Sequence, residues 1–150
     1  VAVIRIEPLA STYLEVDTLI LGYYADTNAQ DGIPPLSMDW PAFLALEAAS
    51  KLLLFTARDD DALVGVNMYL VSNHPQHGGM LCALCNTLAV TTSQRGKGIG
   101  SELTKAAVRY FSTRTQVKMV VHHFRTIYDA VPLFPKLGFD LVEHVYMKVL

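Results

Sequence analysis

The sequence predicts a single α/β domain in which helices flank one mixed, mostly antiparallel sheet, and three observations carry that prediction. Hydrophobic residues make up 51% of the 150 residues against 17% charged, enough to bury a core without disulfides or metal. Alternating apolar stretches are interleaved with stretches at helical spacing, in the order strand, two helices, three strands, helix, strand, helix, strand. A glycine-rich turn, "QRGKGIG" from Gln94 to Gly100, joins a long apolar strand to a helix. No repeat, linker or low-complexity run divides the chain, so residues 1–150 read as one domain.

Each element follows from its local pattern. Alternation in "VAVIRI" (Val1 to Ile6) predicts a first strand, stopped by Pro8. "STYLEVDTLILGYYAD" places Leu14, Leu21 and Tyr24 near helical spacing, with Ser11 as the expected N-cap. A turn-rich connection leads to a short helix starting near Trp40 and Pro41, where proline suits the first turn. Leu52 to Ala57 and Leu63 to Val71 read as a hairpin around the acidic turn Arg58 to Asp61, and "HPQHGG" (His74 to Gly79) turns the chain into a third strand over Met80 to Val90. From Gly98 onward, Ile99, Leu103, Ala106, Ala107 and Tyr110 form a helical stripe. Val117 to Phe124 is then a strand, "YDAVPLFPKLG" a short helix closed by Gly138, and "FDLVEHVYMKVL" a final strand.

Charge and cysteine usage narrow the function. A net charge of −2 gives none of the basic footprint of a nucleic-acid binder. No apolar stretch approaches the roughly 20 residues that span a bilayer, and the N-terminus lacks a signal-peptide pattern, so the expectation is a cytoplasmic protein that binds neither membrane nor nucleic acid. Cys82 and Cys85 lie in a C-x-x-C spacing downstream of His74 and His77, which resembles a zinc set. Residues three apart on a strand point to opposite faces, so two buried thiols and no metal are expected.

Three glycines, an arginine and a lysine in "TTSQRGKGIGSEL" (Thr91 to Leu103) suit an anion. A Walker loop requires lysine followed by Ser or Thr, and Lys97 precedes Gly98. A dinucleotide fold requires G-x-G-x-x-G early in the chain and an acid about 20 residues on. Here the glycines are Gly96, Gly98 and Gly100, and the expected acid position falls in Lys118 to Val121. What remains is R-x-x-G-x-G from Arg95 at the start of a helix, where free N–H groups and the helix dipole attract a diphosphate.

At these residues the chain resembles the GCN5-related N-acetyltransferase (GNAT) family, whose signature [QR]-x-x-G-x-[GA] follows a strand ending much like "LAV". "LAVTTSQRGKGIGSEL" (Leu88 to Leu103) matches it, and "AVPLFPKLGF" (Ala130 to Phe139) matches the second family signature, A-x-x-L-Y-x-K-x-G-F. The resemblance implies the GNAT acyl-CoA N-acyltransferase fold, with a mixed, mostly antiparallel sheet of six to seven strands and about four helices. It implies transfer of acetyl from acetyl-CoA to a primary amine. In the family two strands splay apart to admit the pantetheine arm. By that likeness Leu88, Ala89 and Val90 offer backbone to it, Arg95, Gly96, Lys97, Gly98, Ile99, Gly100 and Ser101 hold the diphosphate, and Phe134 lies near the thioester. Lys97 either reaches the 3′-phosphate end or is solvated.

The chain departs from the family pattern where chemistry is expected. The usual tyrosine that protonates the sulfur is Phe134, the strand positions that often carry Glu or His are Leu84 and Asn86, and a common asparagine is Ile127. The substitutes near in sequence are His122 and His123, of which at most one faces the cleft, together with Tyr128 and Asn86. The acceptor wall is expected around Asp26, Asp31, Asp39 and Asp59 to Asp61, whose charge would suit a cationic amine. A protein that binds CoA without turning it over is the rival expectation. The apolar "HVYMKVL" suggests a homodimer.

Overall fold

The computed structural model describes residues 1–26, 36–123 and 132–150, excepting the side chains of Asp26 and Asn86. Five strands, β1 (Val3–Ile6), β2 (Leu52–Asp59), β3 (Ala62–Asn73), β4 (Leu81–Val90) and β5 (Met119–His122), form one sheet in the order β1-β2-β3-β4-β5. β1 to β4 are antiparallel neighbours, and β5 runs parallel to β4. Helices α1 (Leu9–Asp26) and α2 (Trp40–Ala48) lie between β1 and β2 in sequence, α3 (Ile99–Arg114) between β4 and β5, and α4 (Leu133–Lys136) after β5. The mixed, mostly antiparallel α/β fold expected from the sequence is therefore present.

Strand alternation divides the core in two. Leu52, Leu54, Val66, Met68 and Ala89 face α1 and α2, where Leu9, Val16, Leu19 and Ile20 cover them. Phe55, Ala57, Tyr69, Ala83 and Cys85 face α3, where Ile99, Leu103, Ala107 and Phe111 cover them. Gly65 seats α3, because a Cβ built there would stand 3.0 Å from Ile99 Cγ2 and 3.1 Å from Leu103 Cδ1. The helix that carries the glycine turn is thereby held close to the sheet.

Several boundaries differ from the expectation. α1 begins at Leu9, and its first N–H groups are capped by the carboxylate of Glu47 on α2, which accepts from Leu9 N and from Ala10 N at 2.9 Å. Ser11 lies inside the helix and donates to Pro8 O. Leu14 and Leu21 are exposed beside Ser11, Glu15 and Thr18, while Leu9, Val16, Leu19 and Ile20 are buried, so apolar spacing locates the helix without orienting it. α2 starts as expected, with Asp39 accepting from Ala42 N at its N-cap and Pro41 in the first turn. β2 runs on to Asp59, and the hairpin turns at Asp60, with φ 52°, and Asp61.

The final strand expected over 139–150 is absent from the described sheet. No residue there pairs with a strand, and Leu141, Val142, Val145, Tyr146 and Leu150 are exposed. Alternation marks a segment fit for a sheet, but a ladder forms only where the segment docks on an edge, and 139–150 docks on neither β1 nor β5. Among the described residues no helix is long and apolar enough to cross a membrane.

Candidate active site

The glycine turn forms as its sequence requires. β4 leaves the sheet at Thr91, whose N–H donates to Val64 O at 2.9 Å, and passes through a 3-10 turn, Thr92–Gln94. Gly96 and Gly98 adopt φ 76° and 82°, the left-handed region open to glycine at little cost. Gly98 is the N-cap of α3, so the unpaired N–H groups of the first helical turn open directly onto the turn. Nothing lies within 4 Å of where a Cβ would stand on Gly96 or Gly98, which leaves their backbone open to a ligand. An anionic diphosphate fits this cradle by charge and by access.

The cationic side chains of the turn are engaged elsewhere. Arg95 Nε donates to Val90 O at 3.2 Å, and the guanidinium lies 4.7 Å from the Tyr23 ring centroid, so Arg95 braces the turn against β4 and α1. Lys97 Nζ donates to Gln94 Oε1 at 3.0 Å on the exposed rim. Ser101 and Ile99 lie in the first turn of α3, with Ile99 buried in the core. Gly100 faces Leu133 and Val90, each 4.0 Å from its would-be Cβ, which brings α4 against the cradle helix.

Beside the cradle, β4 outlasts β5. The parallel pairing runs from Cys82 and Met119 to Cys85 and His122, and ends with His123 N donating to Cys85 O at 2.7 Å. Beyond that point Leu88, Ala89 and Val90 pair with β3 alone among the described residues. The bond from Thr91 to Val64 sets the phase of this ladder, so Val66 and Ala89 exchange bonds while Leu88 and Val90 turn their backbone groups away from β3. Ala89, expected to offer backbone to a ligand, is thus occupied by β3. Leu88 and the N–H of Val90 are the groups directed toward the β5 side.

At the apex of this separation lies a chain of three buried polar side chains ending on half-buried His122. Cys85 Sγ donates to Asn67 Oδ1 at 2.7 Å, Asn67 Nδ2 donates to Tyr69 Oη at 2.8 Å, and Tyr69 Oη lies 2.8 Å from His122 Nε2. The His122 ring also packs on Tyr69, Phe134 and Phe139, with centroid distances of 5.4, 4.7 and 5.3 Å. Burial, with a smaller push from His123, lowers the His122 imidazole to about 4. Burial pushes the Cys85 thiol up to about 12 against opposing backbone hydrogen bonds, and raises Tyr69 as well. All four groups are therefore uncharged at neutral pH.

Of the expected catalytic residues, the strand turns His122 inward and His123 outward. His123 is 41% exposed and lies 3.8 Å from Glu143. Asn86 is the extra residue of a β-bulge, since Thr87 pairs with Met68 and Cys85 with Tyr69. Tyr128 and Ile127 lie outside the described residues, as does Asp31. Phe134 is buried on α4 against His122. Tyr69 and Asn67 were not singled out from the sequence, although a polar Asn67 two residues from Tyr69 in an apolar strand places both on one face.

Two other clusters remain. Cys82 and Cys85 are both buried and unbridged, three residues apart on a strand and hence on opposite faces. His74 and His77 stack at 4.4 Å on the hairpin turn, and among the described residues no three His, Cys, Asp or Glu side chains converge to hold a metal. An open groove of about 450 Å³ between α1 and the end of β4 is lined by Glu15, Thr18, Leu19, Tyr23, Thr91 and Thr92, among others.

Comparison with known proteins agrees with this geometry. The sequence model of the acetyltransferase (GNAT) family matches residues 19–139. No curated protein sequence matches the chain. A transcriptional regulator from Bacillus halodurans C-125 superposes with a TM-score of 0.77 at 20% identity, over 99% of this chain and 100% of that one. A ribosomal-protein-alanine N-acetyltransferase from Brucella melitensis biovar Abortus 2308 gives 0.73 at 20% identity, over 99% of each chain. A predicted acetyltransferase with acetyl-CoA from Clostridium acetobutylicum gives 0.77 at 14% identity, over 98% of this chain and 95% of that one. These likenesses establish a shared fold, and with the family match over most of its length the chain belongs to the GNAT acetyltransferase family.

Proposed function

We propose that this protein transfers an acetyl group from acetyl-CoA to a primary amine within a ternary complex. The observation that carries this reading is the open cradle at Gly96 and Gly98, set at the N-terminus of α3 beside an edge of β4 that no other described strand pairs. Acetyl-CoA would supply an activated thioester. The α3 N-terminus would hold its diphosphate by backbone N–H groups, and Leu88 and Val90 would pair with the pantetheine amides as an added strand pairs with an edge. The amine nitrogen bonds to the carbonyl carbon, the carbon–sulfur bond breaks, and the proton lost by the amine balances the one gained by the thiolate. Holding the amine against the thioester accounts for much of the rate, because thiolate is a good leaving group.

Two residues of the expected acidic wall are engaged within the protein, and Asp60 and Asp61 are exposed at the hairpin tip. Asp39 caps α2, and Asp59 accepts from Gln94 Nε2 at 3.3 Å. The acceptor is therefore proposed as a primary amine without further restriction.

One observation favours a second reading, in which the protein binds CoA and leaves it intact. The family's sulfur-side tyrosine is replaced by Phe134, buried and without a proton to give. Calorimetric titration with acetyl-CoA, followed by free-thiol release against a panel of amines, separates the two. Binding with amine-dependent release supports transfer, and binding without release for any amine supports the module. Absence of binding overturns both.

A further inference from the structure

We propose that Tyr69, held by Asn67 and Cys85, is a positioning residue that fixes the proton of His122 on Nδ1, so that His122 acts as a hydrogen-bond donor to the departing sulfur and not as a base. The order of donors along the chain leads to this assignment. The Cys85 thiol has two acceptors in reach, Asn67 Oδ1 at 2.7 Å and Thr87 O at 3.2 Å, and its S–H is directed at the nearer, Asn67 Oδ1. With its oxygen accepting from Cys85, the Asn67 amide turns its N–H toward Tyr69 Oη. The tyrosine hydroxyl, which accepts from Asn67, donates to His122 Nε2. A neutral imidazole that accepts at Nε2 carries its hydrogen on Nδ1.

The reverse order would set an Asn67 N–H against the Cys85 sulfur, a weak acceptor, and would leave the thiol hydrogen Thr87 O alone, at 3.2 Å. The forward order gives the thiol, the amide and the tyrosine hydroxyl each an acceptor in the chain. The groups that face the His122 ring among the described residues are Tyr69 from β3, Phe134 from α4 and Phe139 beyond it, with His123 as its strand neighbour. None of them is a carboxylate that would draw a second proton onto the ring.

The place of His122 gives the tautomer a use. It is the last residue of β5 paired with β4, at the point where the two strands cease to pair, and its ring lies 4.7 Å from that of Phe134. The hydroxyl that the family carries at the Phe134 position is missing, and an imidazole N–H beside it restores a donor. The proton stays on Nδ1 throughout: its hydrogen bond stabilises the thiolate as the carbon–sulfur bond breaks, and solvent protonates the released thiolate. The role in catalysis rests on the acetyl-transfer reading, whereas the tautomer does not.

The test uses the whole chain labelled with ¹⁵N-histidine, the His122 signals being assigned by their loss in His122→Gln. Two-bond proton–nitrogen correlations at neutral pH should show a protonated Nδ1 and a bare Nε2. In Tyr69→Phe the ring should revert toward the mixture of free histidine, with thiol release slowed roughly tenfold, about one hydrogen bond's worth, and KM for acetyl-CoA unchanged. Cys85→Ser keeps the first donor and should leave the tautomer as it is, and Cys85→Ala should loosen it; these two variants decide the matter where Tyr69→Phe fails to fold. A wild-type His122 protonated on Nε2 overturns the proposal, as does a Tyr69→Phe variant with the tautomer unmoved or with an altered tautomer and an undiminished rate. The fixed tautomer in a protein that releases thiol with no amine would defeat the donor role and the acetyl-transfer reading together, and leave the ordering of the chain standing.

Discussion

Two polar clusters lie against this sheet, one partly exposed and one mostly buried, and they are built on opposite principles. At the β1–β2 end, Arg58 Nε donates to Glu7 at 2.9 Å and its two terminal nitrogens to Glu15 at 3.0 and 3.1 Å, while Thr56 donates to Glu7. At the β4–β5 end, Cys85, Asn67, Tyr69 and His122 link in a chain with no formal charge. The ionic cluster ties α1 to the sheet through opposite charges and has no preferred proton order. The neutral cluster has little Coulomb energy, but its hydrogens favour one order along the chain. Charge gives attachment, and neutrality gives direction.

The largest expected effect falls on the ionic cluster. Arg58→Met removes the cation shared by two carboxylates, one of which, Glu7, is mostly buried. An unpaired carboxylate at such a site costs about 3 kcal/mol, and the urea midpoint should fall accordingly. A variant as stable as the parent would mean that the two clusters do not differ in this way.

Acid separates the clusters by pH window. His122 has its folded value lowered from 6.5 to about 4, so the unfolded chain takes the proton first. Stability from this group is full above pH 6.5 and is lost as pH falls toward 4, a total of about 3 kcal/mol. Glu7 behaves alike in sign and lower in window. Burial raises its carboxyl, but hydrogen bonds from Arg58 and Thr56 outweigh that and hold it below 4.5, so its contribution is present above 4.5 and lost below. Urea unfolding at pH 7, 5 and 4 should show the first loss in the parent and not in His122→Gln. A parent equally stable at pH 7 and pH 5 would remove His122 from the neutral core.

A third change spares both clusters. Gly98→Glu puts a side chain at φ 82° and a carboxylate on the cradle, which should weaken acetyl-CoA binding about a hundredfold by repulsion and blocked approach. The strain costs about 1 kcal/mol of stability. Calorimetry that finds parental affinity in the folded variant would refute the cradle.

How much of this was legible depends on how local the signal is. The glycine turn announces itself because left-handed backbone and an open helix N-terminus need particular residues in sequence. Helix α1 was legible as a helix, but its cap, Glu47, lies 38 residues from Leu9, and no local pattern reports a partner at that distance. The choice between His122 and His123 followed the strand period, which allowed at most one to face the cleft and did not say which. The neutral chain joins residues of three strands, so only register could assemble it. The segment 139–150 has a strand's alternation without an edge that takes it up.

Tyr69→Phe should have a smaller effect on stability than Arg58→Met and bears most directly on the contrast. The ring keeps its packing on Phe55 and Phe111, at centroid distances of 5.8 and 5.1 Å, so the cavity term is negligible. What is lost is an acceptor for Asn67 and a donor to His122, about 1–2 kcal/mol when one buried partner is removed. That is less than Arg58→Met because no bare charge is left behind. Urea unfolding should show a lower midpoint with an unchanged slope. A loss as large as that of Arg58→Met would mean that the neutral chain attaches strands as the ionic one does, and that its direction is incidental.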